Sequence, residues 1–129
     1  MNQADTSRTV KLTIPADRAY APVASLALSG VGMMAGLDVD LLGDLRTVTA
    51  ECLDCLLHQA GRPASIDVTA SVDGGRLYVG FQSNGRSRVQ EEDLLGLEIT
   101  RGVLETLMPQ VHLESDDDGV HGILCSMPV

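Results

Sequence analysis

Three cysteines and three histidines are the first residues whose chemistry invites a reading. Cys52-Leu53-Asp54-Cys55 is a C-x-x-C, and His58 follows three residues later. On a helix these side chains share one broad face, where thiolates and an imidazole can hold a soft metal ion. Cys125 would be a further ligand if its strand runs beneath that helix. The pair Cys52 and Cys55 falls mid-helix among Leu and Val, however. Free cysteine is among the most buried residue types, so core filling is the simpler reading. Asp54 stands four residues before His58, a spacing that suits a proton-relay pair or a solvated ion pair near a helix end. His112 and His121 flank Asp116-Asp117-Asp118, which offers oxygen atoms to a divalent ion but lacks the D-x-D-x-D-G loop and distal Glu of an EF-hand. No Ser-His-Asp set and no G-x-S-x-G stands out.

The elements that must carry these residues follow from periodicity. Thr9–Pro15 alternates, with Val10, Leu12 and Ile14 on one face, and reads as a half-buried strand. Asp17 can cap a helix from Arg18 to about Ala35, with Val23, Leu26, Ala27, Val31 and Met34 as its inward stripe and Gly36 closing it. Asp38 or Asp40 caps a second helix to about Ala60, whose stripe is Leu41, Leu45, Val48, Cys52, Cys55 and Leu56. Gly61-Arg62-Pro63 stops it. Ser65–Val72 and Leu77–Gln82 are strands joined by the hairpin signal Asp73-Gly74-Gly75. Glu91–Met108 reads as a third helix, with Glu91-Glu92-Asp93 as its acidic first turn and Leu94, Leu97, Arg101, Leu104 and Met108 near one stripe. Val111–Glu114 and Gly122–Met127 are strands on either side of the acidic turn. Met33, Met34, Met108 and Met127 are expected in the core, although methionine at a surface also suits a partner interface. Strands in hairpins with helices collected elsewhere predict an α+β two-layer sandwich, a mixed but mostly antiparallel sheet covered on one face by three helices. Residues 1–7 read as a flexible tail and residues 8–129 as a single domain.

Composition narrows the function. The 129 residues carry 9 Lys and Arg against 18 Asp and Glu, a net charge of −9, and the only aromatics are Tyr20, Tyr78 and Phe81. A nucleic-acid binder needs a basic footprint and often flat rings for bases, so that class is excluded. The most apolar stretch, Ala19 to Leu37, is interrupted by Pro22, Ser25 and Ser29, so no membrane span is expected. A polar N-terminus without an apolar signal core and an odd cysteine count lead to the expectation of a cytoplasmic protein.

Three stretches, in order, resemble the anti-sigma-factor serine kinases of the Bergerat, or histidine-kinase-like, ATPase superfamily. Asp44-Leu45-Arg46-Thr47-Val48-Thr49-Ala50-Glu51 is similar to the helix that leads to that family's Glu and Asn. Leu77–Gly85 is placed like its strand ending in D-x-G-x-G. Gly96-Leu97 through Glu105-Thr106-Leu107-Met108, then Val111, is similar to its G-x-G-leading helix and the next strand. The likeness runs from about Val10 to Met127. It implies a Bergerat-like fold, ATP and Mg²⁺ between the helices and a lid, phosphorylation of a serine on an antagonist, dimerisation, and capture of a sigma factor.

The likeness also defines a remnant nucleotide cleft of Glu51, Cys55, Ser83, Gly85, Gly96 and Glu98. Glu51 matches the Glu that activates the attacking hydroxyl. Cys55 stands where the family has the Asn that holds Mg²⁺, a hard ion that wants oxygen. Ser83 stands at the Asp that reads adenine. Gly85 matches the first Gly of that motif, but Ser87 stands at the second. Only Arg86–Leu95 separates Gly85 from Gly96, a short lid for wrapping phosphates. Glu98 replaces the second Gly of G-x-G, and Gly122-Ile123 stands where the family often has Gly-Thr. The expectation is therefore a regulatory domain of anti-sigma type with its nucleotide site lost and no cofactor. It would bind a sigma factor, an anti-sigma antagonist or its own twin, with no nucleic acid and no membrane. The alternatives are an active ATP-dependent serine kinase with Glu51 as base, and a metal or redox sensor built on Cys52, Cys55 and Cys125.

Overall fold

Alternation places every second residue of each strand toward a common core. The computed structural model describes residues 8–57, 63–85, 102–107, 110–116 and 119–129. Strand β1 (Val10–Pro15) leads through a single turn of 3-10 helix (Arg18–Tyr20) into α1 (Ala21–Met34) and α2 (Val39–Leu57). Then come β2 (Ser65–Asp73), β3 (Arg76–Asn84), α3 (102–107), β4 (Gln110–Asp116) and β5 (Gly119–Pro128). The strands form one sheet in the order β1-β2-β3-β5-β4. The structure is thus α+β, with the expected element order.

All four strand pairings are antiparallel, which corrects the expectation of a mixed sheet. The connections explain it. Helices α1 and α2 return the chain to the end of the sheet where β1 finished, so β2 runs back against β1. The α3 crossover sends β4 in the same direction as β3, but the β4–β5 hairpin inserts β5 between them. Every neighbour therefore opposes its neighbour.

The hairpin between β2 and β3 turns at Gly74 and Gly75, with φ of 57° and 76°. Two successive positive φ values twist with the flanking strands and suit glycine. The turn fixes register, placing Val72 opposite Leu77, Ala70 opposite Val79 and Val68 opposite Phe81. Those side chains, with Ile14, Ile66, Ile123, Cys125 and Met127, form the buried face of the sheet. The opposite face carries Lys11, Thr13, Asp67, Thr69, Gln82 and Glu114. There Thr13 donates its hydroxyl to Asp67, and Lys11 sits 3.6 Å from the same carboxylate. These contacts hold the Asp67 carboxyl below its ordinary range, the Thr13 hydrogen bond foremost.

Helix α2 lies across β3 and β5. Its buried residues Leu45, Val48, Cys52, Cys55 and Leu56 match the predicted stripe, and Thr49 and Leu53 join them. The Thr49 hydroxyl is satisfied by the Leu45 carbonyl at 2.8 Å. Asp38 caps α2 by accepting from the Leu41 amide at 2.9 Å, and Asp17 caps the 3-10 turn through the Ala19 amide. The chain enters α1 with Pro22 in its first turn and leaves it at Gly36, whose φ is 91°.

Helix α1 departs from expectation. Its buried residues are Ala24, Leu28 and Gly32, whereas Leu26 is 75% exposed, Met33 67% and Met34 89%. Of the predicted stripe, Val23, Leu26 and Met34 face outward, while Ala27 and Val31 are half-buried, Val31 against the core. The helix is apolar all round, so periodicity could not choose its inner face. Gly32 marks the inner face: a Cβ there would lie 2.9 Å from Leu42 Cδ2 and 3.0 Å from Leu37 Cδ1, so α1 approaches the start of α2 closely at this position. Met127 is in the core as expected, while Met33 and Met34 are not. No helix among the described residues is long and apolar enough to cross a membrane.

Candidate functional site

Helix α2 sets the first part of the site. Glu51 and Cys55 are one turn apart, so both project from the same side of the helix. Glu51 is half-buried, and Cys55 is buried in the core cluster. Burial pushes the Cys55 thiol up to about 12, and the negative charge of Glu51 adds to the shift. At neutral pH the group is therefore a neutral thiol.

Strand β3 sets the second part. It runs to Asn84, two residues beyond the predicted end, so Ser83 is a strand residue paired with Ile66. Phe81 and Ser83 point to the same face, and Ser83 is buried. Asn84, on the other face, donates to the Ser65 hydroxyl at 3.2 Å. Gly85 follows, exposed, with φ of 69°, and turns the chain out of the sheet. Glu51 and Cys55 thus stand on α2, and Ser83 and Gly85 at the end of β3. Gly96 and Glu98, the remaining residues of the expected cleft, lie outside the described residues.

Gly122 has a role in the sheet itself. A Cβ there would meet Glu114 Oε1 at 2.6 Å, and Ile123 beside it is buried in the core. Strand packing accounts for both residues without a phosphate.

The cysteines are brought together in part. Cys52 and Cys125, both fully buried, share a hydrogen bond between α2 and β5. Burial raises Cys52 well above the ordinary thiol range, and the contact with Cys125 adds to this. The same hydrogen bond favours Cys125 as the thiol of the pair that releases its proton first. None of the three cysteines is in a disulfide. Among the described residues no group of three or more His, Cys, Asp and Glu is placed to hold a metal ion. Asp54 is engaged by Arg18 at 2.7 Å, a bridge from the 3-10 turn to α2; its sequence-proposed partner His58 lies outside the described residues.

No protein-family model matches the chain, and a comparison with curated proteins finds no match. 

Two surface features escaped the sequence reading. One is a shallow groove of about 220 Å³ on the face of the sheet that carries no helix among the described residues, bordered by Lys11, Asp67, Thr69, Gln82, Glu114 and Leu124. Its floor is opened by Gly80, where a Cβ would sit 2.7 Å from Thr69 Oγ1. Strand alternation could have placed these side chains on one face, but only the order of strands puts Lys11 and Glu114 around one hollow. The other is the outward apolar face of α1.

Proposed function

We propose that this chain is a regulatory domain of the anti-sigma type that works through protein contacts and does not turn ATP over. The observation that carries the reading is Cys55. It stands where the resembled kinases hold Mg²⁺, and here it is a buried thiol that keeps its proton to about pH 12. Mg²⁺ is bound by oxygen and gives up water reluctantly, so a neutral sulfur in the core is no ligand for it. Without the metal, phosphoryl transfer loses the charge neutralisation on which it depends. Ser83 supports the same reading, because its hydroxyl is uncharged and buried where a carboxylate would read adenine. The net charge of −9 opposes a triphosphate and suits a basic protein partner, whose encounter it would accelerate.

Calorimetry of the purified chain with ATP and Mg²⁺ tests this. The expected result is no binding tighter than millimolar, with no labelled phosphate transferred to a partner serine. Sub-millimolar binding, or incorporation that Glu51→Ala abolishes, would overturn it in favour of an active kinase.

The Cys52–Cys125 contact favours a second reading, a thiol-based sensor in which those two cysteines, with Cys55, respond to metal or oxidant. Metal analysis of protein purified without chelator decides it. A metal-free, fully reduced sample with a normal fold counts against a sensor.

A further inference from the structure

We infer that the groove on the face of the sheet away from α2 is a binding site for a small organic monocation, a guanidinium or ammonium group on a short carbon stem. The hollow exists because two diagonal neighbours on β3 and β5 lack side chains. Gly80 pairs with Leu124 and Gln82 with Gly122, so the two glycines stand diagonally across one ladder. A Cβ at Gly80 would sit 2.7 Å from Thr69 Oγ1, and one at Gly122 2.6 Å from Glu114 Oε1. The Thr69 hydroxyl and the Glu114 carboxylate thus lean over bare backbone, and Gly122 is buried. The volume of about 220 Å³ is below the ~300–1,000 Å³ of sites for drug-sized ligands and suits one small molecule.

Charge selects the sign of the ligand. Lys11, Asp67 and Glu114 are the charged residues at the groove. Lys11 is 3.6 Å from Asp67 and balances it, whereas Glu114 has no ion-pair partner among the described residues. One carboxylate is left over, and it calls for one positive charge. A lone carboxylate is a poor cage for a divalent metal ion, which takes several oxygen ligands. Among the described residues no group of three or more His, Cys, Asp and Glu is placed to supply them. An organic cation needs only the one.

Shape and polarity select the rest of the molecule. Leu124 is 45% exposed, and its Cδ1 lies 3.7 Å from the place a Cβ of Gly80 would take. It offers an apolar wall along which a carbon stem can lie while the charged head stays wet. Thr69 and Gln82 supply oxygen acceptors for N–H groups that the carboxylate leaves free. A guanidinium fits best, because its planar fork can meet the Glu114 carboxylate with two parallel hydrogen bonds. The same head group occurs on free small molecules and on the arginine side chain of a protein. Helix α2 packs on β3 and β5 from the other side of the sheet, so the groove is separate from Glu51 and Cys55 and does not depend on whether ATP binds.

Amide NMR titration of the full chain with butylguanidinium tests it, with butanol and butyrate as neutral and anionic controls. The expected result is saturable shifts centred on Thr69, Gly80, Gln82, Gly122 and Leu124, with a Kd on the order of 1 mM, as suits one ion pair at an open site. Glu114→Gln should weaken binding by about fivefold, the upper end for an exposed pair. Glu105→Gln, an equal loss of charge at an exposed position on α3, should leave it unchanged. Lys11→Met removes the cation that balances Asp67 and should tighten binding. Shifts scattered over the acidic surface would overturn the proposal, as would undiminished binding by Glu114→Gln or equal binding of butanol or butyrate. N-acetylarginine methylamide, titrated in parallel, assigns the source once the cation site is established. Binding as tight as that of butylguanidinium gives the groove to a partner's arginine, and its exclusion gives the groove to a free small molecule.

Discussion

Cys55 shows how one side chain constrains chemistry through its surroundings. In water a thiol would release its proton in the mildly alkaline range; in this core it holds the proton to about pH 12. The consequence for stability has a definite sign. A thiol raised in the folded state favours folding fully below its unfolded value, about pH 8.5, and that contribution is lost as pH climbs toward the folded value. Cys52 acts in the same direction, since burial raises it too. Urea midpoints should therefore fall as pH rises above about 8.5, where unfolded thiols ionise. The decline should be shallower in Cys55→Ala than in the wild type. A midpoint flat across the alkaline range would contradict the buried, protonated thiol.

At the scale of elements, two glycines of α1 make the contrast clearest. Gly32 faces α2 with no room for a side chain, and Gly30, half a turn away, faces open space. Gly32→Val should destabilise by about 1–3 kcal/mol, the usual cost of overpacking. Gly30→Ala should stabilise by about 0.8–1 kcal/mol, because alanine is the better helix former and meets nothing. Thermal melts measure both. Equal effects from the two substitutions would mean that α1 does not pack against α2 through Gly32. The two faces of this helix thus differ, one closing the core and the other exposed.

At the scale of the whole molecule, the core runs from α2 through β3 to β5, and Phe81 is its only aromatic, 1% exposed. It contacts Val68 on one side and Ile123 on the other across the ladder. Phe81→Ala should cost about 3–5 kcal/mol, a large share of the 5–15 kcal/mol available to an ordinary domain. Denaturant titration should show the midpoint drop with the slope unchanged, since the loss lies in packing and leaves the surface exposed on unfolding much the same.

Local signals in the chain were enough for much of this. Strand alternation, the Gly74-Gly75 turn, the Asp38 cap and the stripe of α2 each depend on neighbours in sequence, and each appears where periodicity and turn chemistry place it. Burial of Cys52 and Cys55 was legible for the same reason: mid-helix cysteines among aliphatics pack into the core. The inner face of α1 was not legible, because a helix apolar on every side has no preferred direction until a second helix presses on it. Nor was the pairing of Cys52 with Cys125, or the insertion of β5 between β3 and β4. Those depend on contacts between residues distant in sequence. Local propensity therefore determined the elements and most of their core-facing residues. Tertiary packing decided which apolar face of α1 is spent inside and which stays exposed, because the close approach at Gly32 distinguishes two faces that the helix's own pattern does not.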